Sequence, residues 1–253
     1  MSGHSKWSTI KHKKAIEDAK RGKIFTRLVR EITVTAREGG GDPDINFHLR
    51  LAIDKAKDAN MPKENIERAI KKGTGELEGQ ELVEAIYEGY APNGIALLIH
   101  TVTDNKNRSV ADIRRVLTRQ GGTLAEAGAV DWQFDRKGYI AIEPNGVNED
   151  NIFEIAVEAG AEDINFGNDM IEVYVAPDNF QRVRQALEDE VNTFETSELA
   201  MIPQTTIQLD EKQTFQVMGI IEELEDLDDT QEVYSNLEIS DEIMARYESE
   251  IAE

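Results

Sequence analysis

The chain has 253 residues, a formal net charge of −22 and no cysteine. Its length suffices for one large core or for two or three small domains. The lack of cysteine excludes disulfides, thiolate nucleophiles and cysteine-ligated metal, and fits a reducing compartment, so we predict a cytoplasmic location. No apolar run approaches the roughly 18 residues of a membrane helix, and the N-terminal sequence lacks the apolar region of a secretory signal. No membrane partner is therefore predicted.

Charge is distributed very unevenly along the chain. Residues 1–37 contain ten Lys or Arg and three Asp or Glu, a net charge of +7, whereas residues 81–253 have a net charge of −27. The local field, and not the total charge, steers a polyanion towards a protein. We therefore predict a basic N-terminal segment that contacts nucleic-acid phosphates, attached to an acidic body.

Residues 1–80 predict a basic helical domain of three or four helices. Between Ile24 and Ala36 the apolar residues recur every three or four positions, which indicates a helix with one buried face. Gly22 and the glycines at 39–41 are interpreted as helix boundaries. Asp44 is the predicted N-cap of the next helix. This part of the chain is predicted to fold as a small helical bundle.

From residue 81 the pattern changes to short apolar runs that alternate with amphipathic helices. Residues 136–203 read as β-α-β-β-α-β, the ferredoxin-like or split-βαβ order. This segment would be inserted in a second split-βαβ domain formed by residues 81–135 and 204–253. The predicted fold class is α+β, with a helical bundle followed by two ferredoxin-like domains, one inserted in the other. The acidic stretch Glu222–Asp229 is predicted to be a solvated helix end.

The first group of candidate nucleic-acid contacts lies in the basic N-terminal segment. A lysine placed near a phosphate releases condensed counterions, and Trp7 offers a flat face to a base. The alternative is a solvated basic helix with Trp7 in the core. The predicted contacts are Lys6, Trp7, Lys11, His12, Lys13, Lys14, Lys20, Arg21, Lys23, Arg27 and Arg30.

A second group lies between a predicted strand and a predicted helix. The helix N-terminus and the polar side chains of residues 104–109 would form an anion pocket. Ser109, with Asp112 three residues later, resembles a capping box. Capping alone is the alternative, but it leaves two cations beside the positive end of a helix dipole, where cations are unfavourable unless they share an anion. The predicted contacts here are Asn105, Lys106, Asn107 and Arg108.

No pattern in the sequence predicts catalysis. His4 and His12 are eight residues apart and do not share a helix face, and the motif at Gly73–Gly75 lacks the lysine of a phosphate-binding loop. The abundant carboxylates single out no acid–base pair. We therefore predict no enzyme activity, no cofactor, no metal site and no small-molecule substrate.

Several sequence blocks carry a resemblance to a known family. They are GHSKWSTIKHKKAIEDAKRGKIFTRLVREI at 3–32, GGGDPDINFHLRLAIDKAK at 39–57, NMPKENIERAIKKGTG at 60–75, YEGYAPNG at 87–94, TDNKNRSVADIRRVL at 103–117 and TQEVYSNLEISDE at 230–242. In order and spacing they resemble the YebC/PmpR family over nearly the whole chain. The resemblance implies a bacterial cytoplasmic protein with one helical and two α/β domains, of a family described as DNA-binding transcriptional regulators.

Three hypotheses for function remain open at this point. The first is a transcriptional regulator that binds duplex DNA through its helical domain. Because relatives are also linked to translation, the second is a ribosome-associated translation factor that contacts ribosomal RNA with its basic segment and ribosomal proteins with its acidic domains. The third is a protein-interaction scaffold with a basic docking tail. The absence of a helix-turn-helix or zinc-finger signature weakens the case for base-specific readout in the first hypothesis.

Overall fold

The computed structural model describes residues 18–79, 81–167, 170–191 and 193–251. Its helices are α1 (Asp18–Gly39), α2 (Phe47–Asp58), α3 (Lys63–Gly73), α4 (Lys106–Arg119), α5 (Glu149–Ala159), α6 (Phe180–Glu188), α7 (Glu211–Glu225) and α8 (Asp241–Ile251). Its strands are β1 (Val83–Tyr90), β2 (Ala96–Thr103), β3 (Thr123–Leu124), β4 (Phe134–Ile142), β5 (Ala161–Phe166), β6 (Ile171–Val175), β7 (Thr196–Pro203), β8 (Ile207–Gln208), β9 (Thr230–Ser235) and β10 (Leu237–Glu238). None of these helices combines the length and apolar character needed to cross a membrane.

Helices α1 to α3 form a bundle around one apolar core. The α1 stripe predicted from the sequence supplies Leu28, Ile32 and Ala36 to this core, opposite residues such as Leu49 and Ile66 from α2 and α3. The expected boundary at Gly22 is wrong, because α1 is continuous from Asp18 to Gly39. One glycine in a helix costs only about 1 kcal/mol relative to alanine, and packing of the apolar stripe outweighs that cost.

The N-cap of α2 also differs from the expectation. Asn46, and not Asp44, caps this helix by accepting the backbone N–H of Leu49 at 3.1 Å. The Asn46 amide also donates to the carbonyl oxygens of Thr35 and Gly40, at 2.8 Å each, which joins α2 to the end of α1. Asp44 instead lies in the preceding turn, where its backbone N–H donates to the Asp42 carboxylate. Asn46 is the N-cap because its side chain forms hydrogen bonds with backbone groups at the start of α2 and at the end of α1.

The first sheet has the antiparallel order β3-β1-β2-β9. Because β2 and β3 are both antiparallel to β1, they run parallel to each other, and α4 connects them in a split-βαβ unit. Helices α4, α7 and α8 cover one face of this sheet, where Ile99, Ile113, Leu117 and Ile221 belong to a single buried cluster. Strands β8 and β10 form a separate parallel pair.

The second sheet has the antiparallel order β5-β6-β4-β7. Its elements follow the chain as β4-α5-β5-β6-α6-β7, which confirms the predicted ferredoxin-like arrangement. Helices α5 and α6 cover one face through residues such as Ile152 and Phe180. The opposite face packs against the first sheet, where Tyr139 and Ala141 of β4 join Leu98 of β2 in a shared core. The α+β class is therefore confirmed.

The chain leaves the first sheet after β3 and returns to it through α7 and β9. Strands β4 to β7 are formed in between, so the second sheet interrupts the first in sequence. We propose on this basis a division into residues 1–80, residues 81–135 with 204–253, and residues 136–203. Strand β4 begins at Phe134, just before the proposed boundary.

Candidate nucleic-acid interface

The structure describes the predicted contact residues only in part. Lys6, Trp7, Lys11, His12, Lys13 and Lys14 lie outside the described residues. Lys20, Arg21, Lys23, Arg27 and Arg30 belong to α1, Asn105 is the N-cap of α4, and Lys106, Asn107 and Arg108 begin that helix. Two of the described residues, one from each predicted group, converge on the same carboxylate.

That carboxylate belongs to Asp229, in the connection between α7 and β9. The guanidinium Nη1 of Arg30 in α1 lies 2.9 Å from Asp229 Oδ1. The Nη2 atom of Arg108 in α4 lies 2.8 Å from each Asp229 oxygen and donates to Asp104 Oδ1 at 2.7 Å. Arg30 also donates to the carbonyl oxygens of Val102 and Asp228. The basic helix and the start of α4 therefore lie side by side.

Two hydroxyl groups complete the surroundings of Asp229. The Ser109 hydroxyl donates to Asp229 Oδ2 at 2.8 Å, and the Thr103 hydroxyl donates to the same oxygen at 2.9 Å. Both residues are buried, as is Asp229. We refer to Arg30, Thr103, Arg108, Ser109 and Asp229 as the Asp229 cluster.

Burial and hydrogen bonding act in opposite directions on the Asp229 carboxylate. Burial raises the pKa of Asp229, whereas the hydrogen bonds from Arg108, Ser109 and Thr103 and the charge of Arg30 lower it. The lowering prevails, so the pKa lies below the ordinary value of an aspartate. Asp229 is consequently a charged residue at neutral pH, and it neutralises part of the positive charge of both arginines.

The expected capping box at Ser109 and Asp112 is wrong. Helix α4 begins at Lys106, and Asn105 caps it by accepting the backbone N–H of Arg108 at 3.1 Å. Ser109 therefore lies inside the helix, where its hydroxyl is available to Asp229. Asp112 forms an ion pair with Arg115 at 3.1 Å. The helix begins earlier than expected because Asn105, which is as good a cap as serine, occupies the N-cap position, and the Ser109 hydroxyl pairs with the Asp229 carboxylate instead.

The expectation of a solvated helix end at Glu222–Asp229 is also wrong. Helix α7 ends at Glu225, and both Glu225 and Asp229 are buried. Only part of the stretch meets solvent: Asp226 is exposed and forms an ion pair with Lys23 at 3.3 Å. Sequence reasoning missed Asp229. Lys106 and Arg108 at the N-terminus of α4 indicated that an anion must lie nearby. The sequence did not show which residue supplies that anion.

Fewer cations are available to bind an external anion than the sequence indicates, because several of them already pair with carboxylates. Lys23, Arg30 and Arg108 have carboxylate partners. Among the described residues, neither Arg27 nor Lys106 has a carboxylate within 4 Å. Lys106 is exposed and Arg27 is half-buried. Arg108 keeps 45% of its side chain exposed despite its ion pairs. We refer to these side chains, with the N-terminus of α4, as the basic surface beside the Asp229 cluster.

Sequence reasoning did not identify Arg114 as part of this surface. Arg114 is exposed on α4, and within the described ranges it has no ion pair. It follows Asn107 by seven residues and therefore lies on the same face of the helix. No described group of three or more His, Asp or Glu residues is arranged to hold a metal ion.

Comparison with known proteins places the chain in a family. The family model described as the TACO1/YebC protein N-terminal domain matches residues 5–76, and the model of the TACO1/YebC second and third domain matches residues 82–237. The chain is 55% identical over 249 residues to a probable transcriptional regulatory protein of Acidithiobacillus ferrooxidans, covering 98% of this chain and 99% of the relative. A relative of the same description from Desulfosudis oleivorans is 51% identical over 243 residues, covering 96% of this chain and 99% of the relative.

A solved structure shares the fold. The crystal structure of a conserved hypothetical protein from Aquifex aeolicus superposes with a TM-score of 0.82 at 46% sequence identity. The match covers 92% of this chain and 96% of the other.

Proposed function

Since the chain belongs to the TACO1/YebC family, in which relatives are named probable transcriptional regulatory proteins, we propose that it is a transcriptional regulator that binds duplex DNA. The family names support a regulatory role and give no indication of catalysis. The proposed DNA contact is the basic surface beside the Asp229 cluster, extended by the basic residues 1–17.

One observation carries this proposal: Arg30 of α1 and Arg108 of α4 bind the same carboxylate oxygen. This contact holds the basic helix and the N-terminus of α4 on one side of the molecule. A helix N-terminus favours an anion through its free backbone N–H groups and its dipole. Lys106 and the exposed part of Arg108 lie at that terminus. A DNA phosphate bound there would meet α1 residues and α4 residues together.

The charge of the remaining chain sets a condition on this binding. Residues 81–253 have a net charge of −27 and repel DNA, so the contact must be confined to the basic surface. Each phosphate contact that releases counterions steepens the decrease of affinity with salt. We therefore expect DNA binding to weaken strongly between low and physiological salt.

The test measures binding of a fluorescently labelled DNA duplex as a function of salt. The double variant R27A/K106A removes two cations that have no carboxylate partner. We expect it to bind more weakly at every salt concentration and to have a salt slope shallower by about two. The control variant is K137A, because Lys137 is paired with Glu162 at 3.0 Å in the second sheet. Equal affinities for the wild type, R27A/K106A and K137A would contradict the proposed surface.

A competition experiment separates DNA from RNA as the target. The labelled duplex is challenged with excess structured RNA and, separately, with excess unrelated duplex. Retention of the duplex against both competitors supports transcriptional regulation. Displacement by RNA at concentrations where unrelated duplex is ineffective would assign the same surface to RNA and overturn the DNA proposal.

A further inference from the structure

A group of apolar side chains is exposed on the second sheet unit. Phe153 and Val157 on α5 are 52% and 48% exposed, and Phe166 at the end of β5 is 41% exposed. The rings of Phe153 and Phe166 form a tilted pair with centroids 6.5 Å apart. Contiguous exposed apolar side chains of this kind mark interaction sites more often than isolated ones do. We call these three residues the apolar patch.

The patch is not a poorly packed part of the core. On the inner side of α5, Ile152 and Ala156 are buried against the sheet. Phe153 and Val157 are four residues apart and share a different face of the helix. Helix α5 therefore has two apolar faces, one that stabilises the fold and one directed to solvent.

Charge around the patch is mainly negative. Two cations approach it: Lys137 pairs with Glu162 at 3.0 Å, and Arg182 donates to the carbonyl oxygen of Ala159 at 2.7 Å. Residues 138–181 contain ten Asp or Glu and no Lys or Arg. Glu154 and Glu158 on α5, and Glu162 and Asp163 on β5, are exposed beside the apolar side chains. We call these four carboxylates the acidic rim. A ligand that covers the patch must therefore be compatible with a negatively charged rim.

Strand β5 lies at the edge of its sheet and, within the described sheet, pairs only with β6. The Asp163 carboxylate accepts the backbone N–H of Ile164 on this strand at 3.0 Å, and acidic side chains of this kind prevent non-specific pairing of edge strands. A chain that approaches this edge therefore comes close to the carboxylates of Glu162, which is already paired with Lys137, and Asp163.

We propose that the apolar patch and its acidic rim bind a basic segment of another protein, one that carries apolar side chains between its Lys or Arg residues. The apolar side chains cover Phe153, Val157 and Phe166, and the cations pair with the carboxylates of the rim. Nucleic acids and anionic membranes are repelled by the rim. A symmetrical contact with the same face of a second copy is repelled as well, because both faces are negative. The proposal concerns a face distinct from the proposed DNA surface and does not depend on it.

The test uses the full chain, isotopically labelled for NMR, and three synthetic peptides of equal length. The first is amphipathic and built from Leu and Lys, the second replaces Lys by Glu, and the third replaces Leu by Ser. We expect the Leu–Lys peptide to shift amide signals of α5 and β5 selectively. The Leu–Glu peptide should not bind, and the Lys–Ser peptide should bind weakly and without preference for α5. This map requires no variant and so does not depend on how a substitution affects folding.

Variants then measure the contribution of the aromatic rings. The double variant F153S/F166S should lower the affinity for the Leu–Lys peptide about tenfold. The control I45S replaces an apolar residue that is 80% exposed in the helical unit, and its affinity should equal that of the wild type. Equal affinity of F153S/F166S and wild type, or shifts spread over the whole acidic surface, would overturn the proposal. So would a concentration-dependent self-association that F153S/F166S abolishes, because a second copy would then be the occupant.

Discussion

Replacing Asp229 by asparagine tests whether the Asp229 cluster holds α1 against the first sheet. The substitution preserves the shape of the side chain and removes its negative charge. Arg30 and Arg108 are then left close together without a shared anion. Breaking a buried charged pair by removing one partner leaves the other charge uncompensated, which is strongly destabilising.

The expected magnitude follows from the exposure of each partner. The Arg30 side chain is only 17% exposed, so the loss of its charged partner contributes about 2 kcal/mol. Arg108 is 45% exposed and regains hydration, so its contribution is that of a surface pair, about 0–1 kcal/mol. The Ser109 hydroxyl keeps the Asn105 carbonyl oxygen as an acceptor at 3.2 Å. With the weakened bond from Thr103, we expect D229N to lower the free energy of unfolding by about 3 kcal/mol.

The assay compares thermal unfolding of the wild type, D229N and D228N by circular dichroism. Asp228 precedes Asp229 and is exposed, so D228N makes the same change of charge outside the cluster. We expect the apparent Tm of D229N to fall by roughly 5–10 °C and that of D228N to change little. Equal Tm values for the two variants would refute a stabilising role of the cluster.

The pH dependence of the same variants gives a second readout. The folded-state pKa of Asp229 is lowered, so its carboxylate contributes stability above the unfolded-state pKa, and this contribution is lost as pH falls through the folded-state pKa. The difference between wild type and D229N should be constant near neutral pH. It should disappear only at pH values below the ordinary range of an aspartate, where the wild-type side chain becomes neutral. A difference that persists there would exclude the charge as its cause.

Two further substitutions test packing, the first between units and the second within the unit formed by residues 136–203. Lys55 of α2 lies 3.2 Å from Glu198 of β7 and 3.6 Å from Glu31 of α1, and K55M should destabilise the chain by about 2 kcal/mol in urea unfolding. Burial lowers the pKa of Lys55, but these carboxylates raise it by more, so the stabilisation should be complete at neutral pH and decrease only as pH rises above the ordinary lysine range. Gly138→Ala in β4 places a Cβ against the ring of the buried Phe180, and should lower the free energy of unfolding by about 2–3 kcal/mol, measured by the same method.

The parts of the fold that were predictable have a local signal. The buried stripe of α1 follows from three- and four-residue spacing between Ile24 and Ala36, because a helix brings those positions to one face. The ferredoxin-like order of β4 to β7 follows in the same way from apolar runs that alternate with amphipathic helices. In each case the sequence pattern lies within the element that it predicts, so the element can be recognised without knowing its contacts with distant parts of the chain.

The Asp229 cluster has no such local signal. Asp229 is 121 residues from Arg108 and 199 residues from Arg30 in the chain. The acidic stretch around it has the composition of a solvated helix end, and only the packing of α7 and β9 turns Asp229 inward. The error at Ser109 has the same origin. Asn105 and Ser109 are both good caps, and the carboxylate that engages the Ser109 hydroxyl comes from a distant element.

The Asp229 cluster also changes the meaning of the charge asymmetry. The net charge of +7 over residues 1–37 counts Lys23 and Arg30 as cations for a ligand, although Asp226 and Asp229 already pair with them. In the described part of the proposed DNA surface, binding therefore depends on cations without carboxylate partners, such as Arg27 and Lys106, and on the helix N-terminus. These cations are few, so the described part of the surface releases few counterions and contributes little to non-specific DNA binding at physiological salt. The ion pairs that hold α1 against the first sheet thus also reduce the contribution of α1 to non-specific association with DNA.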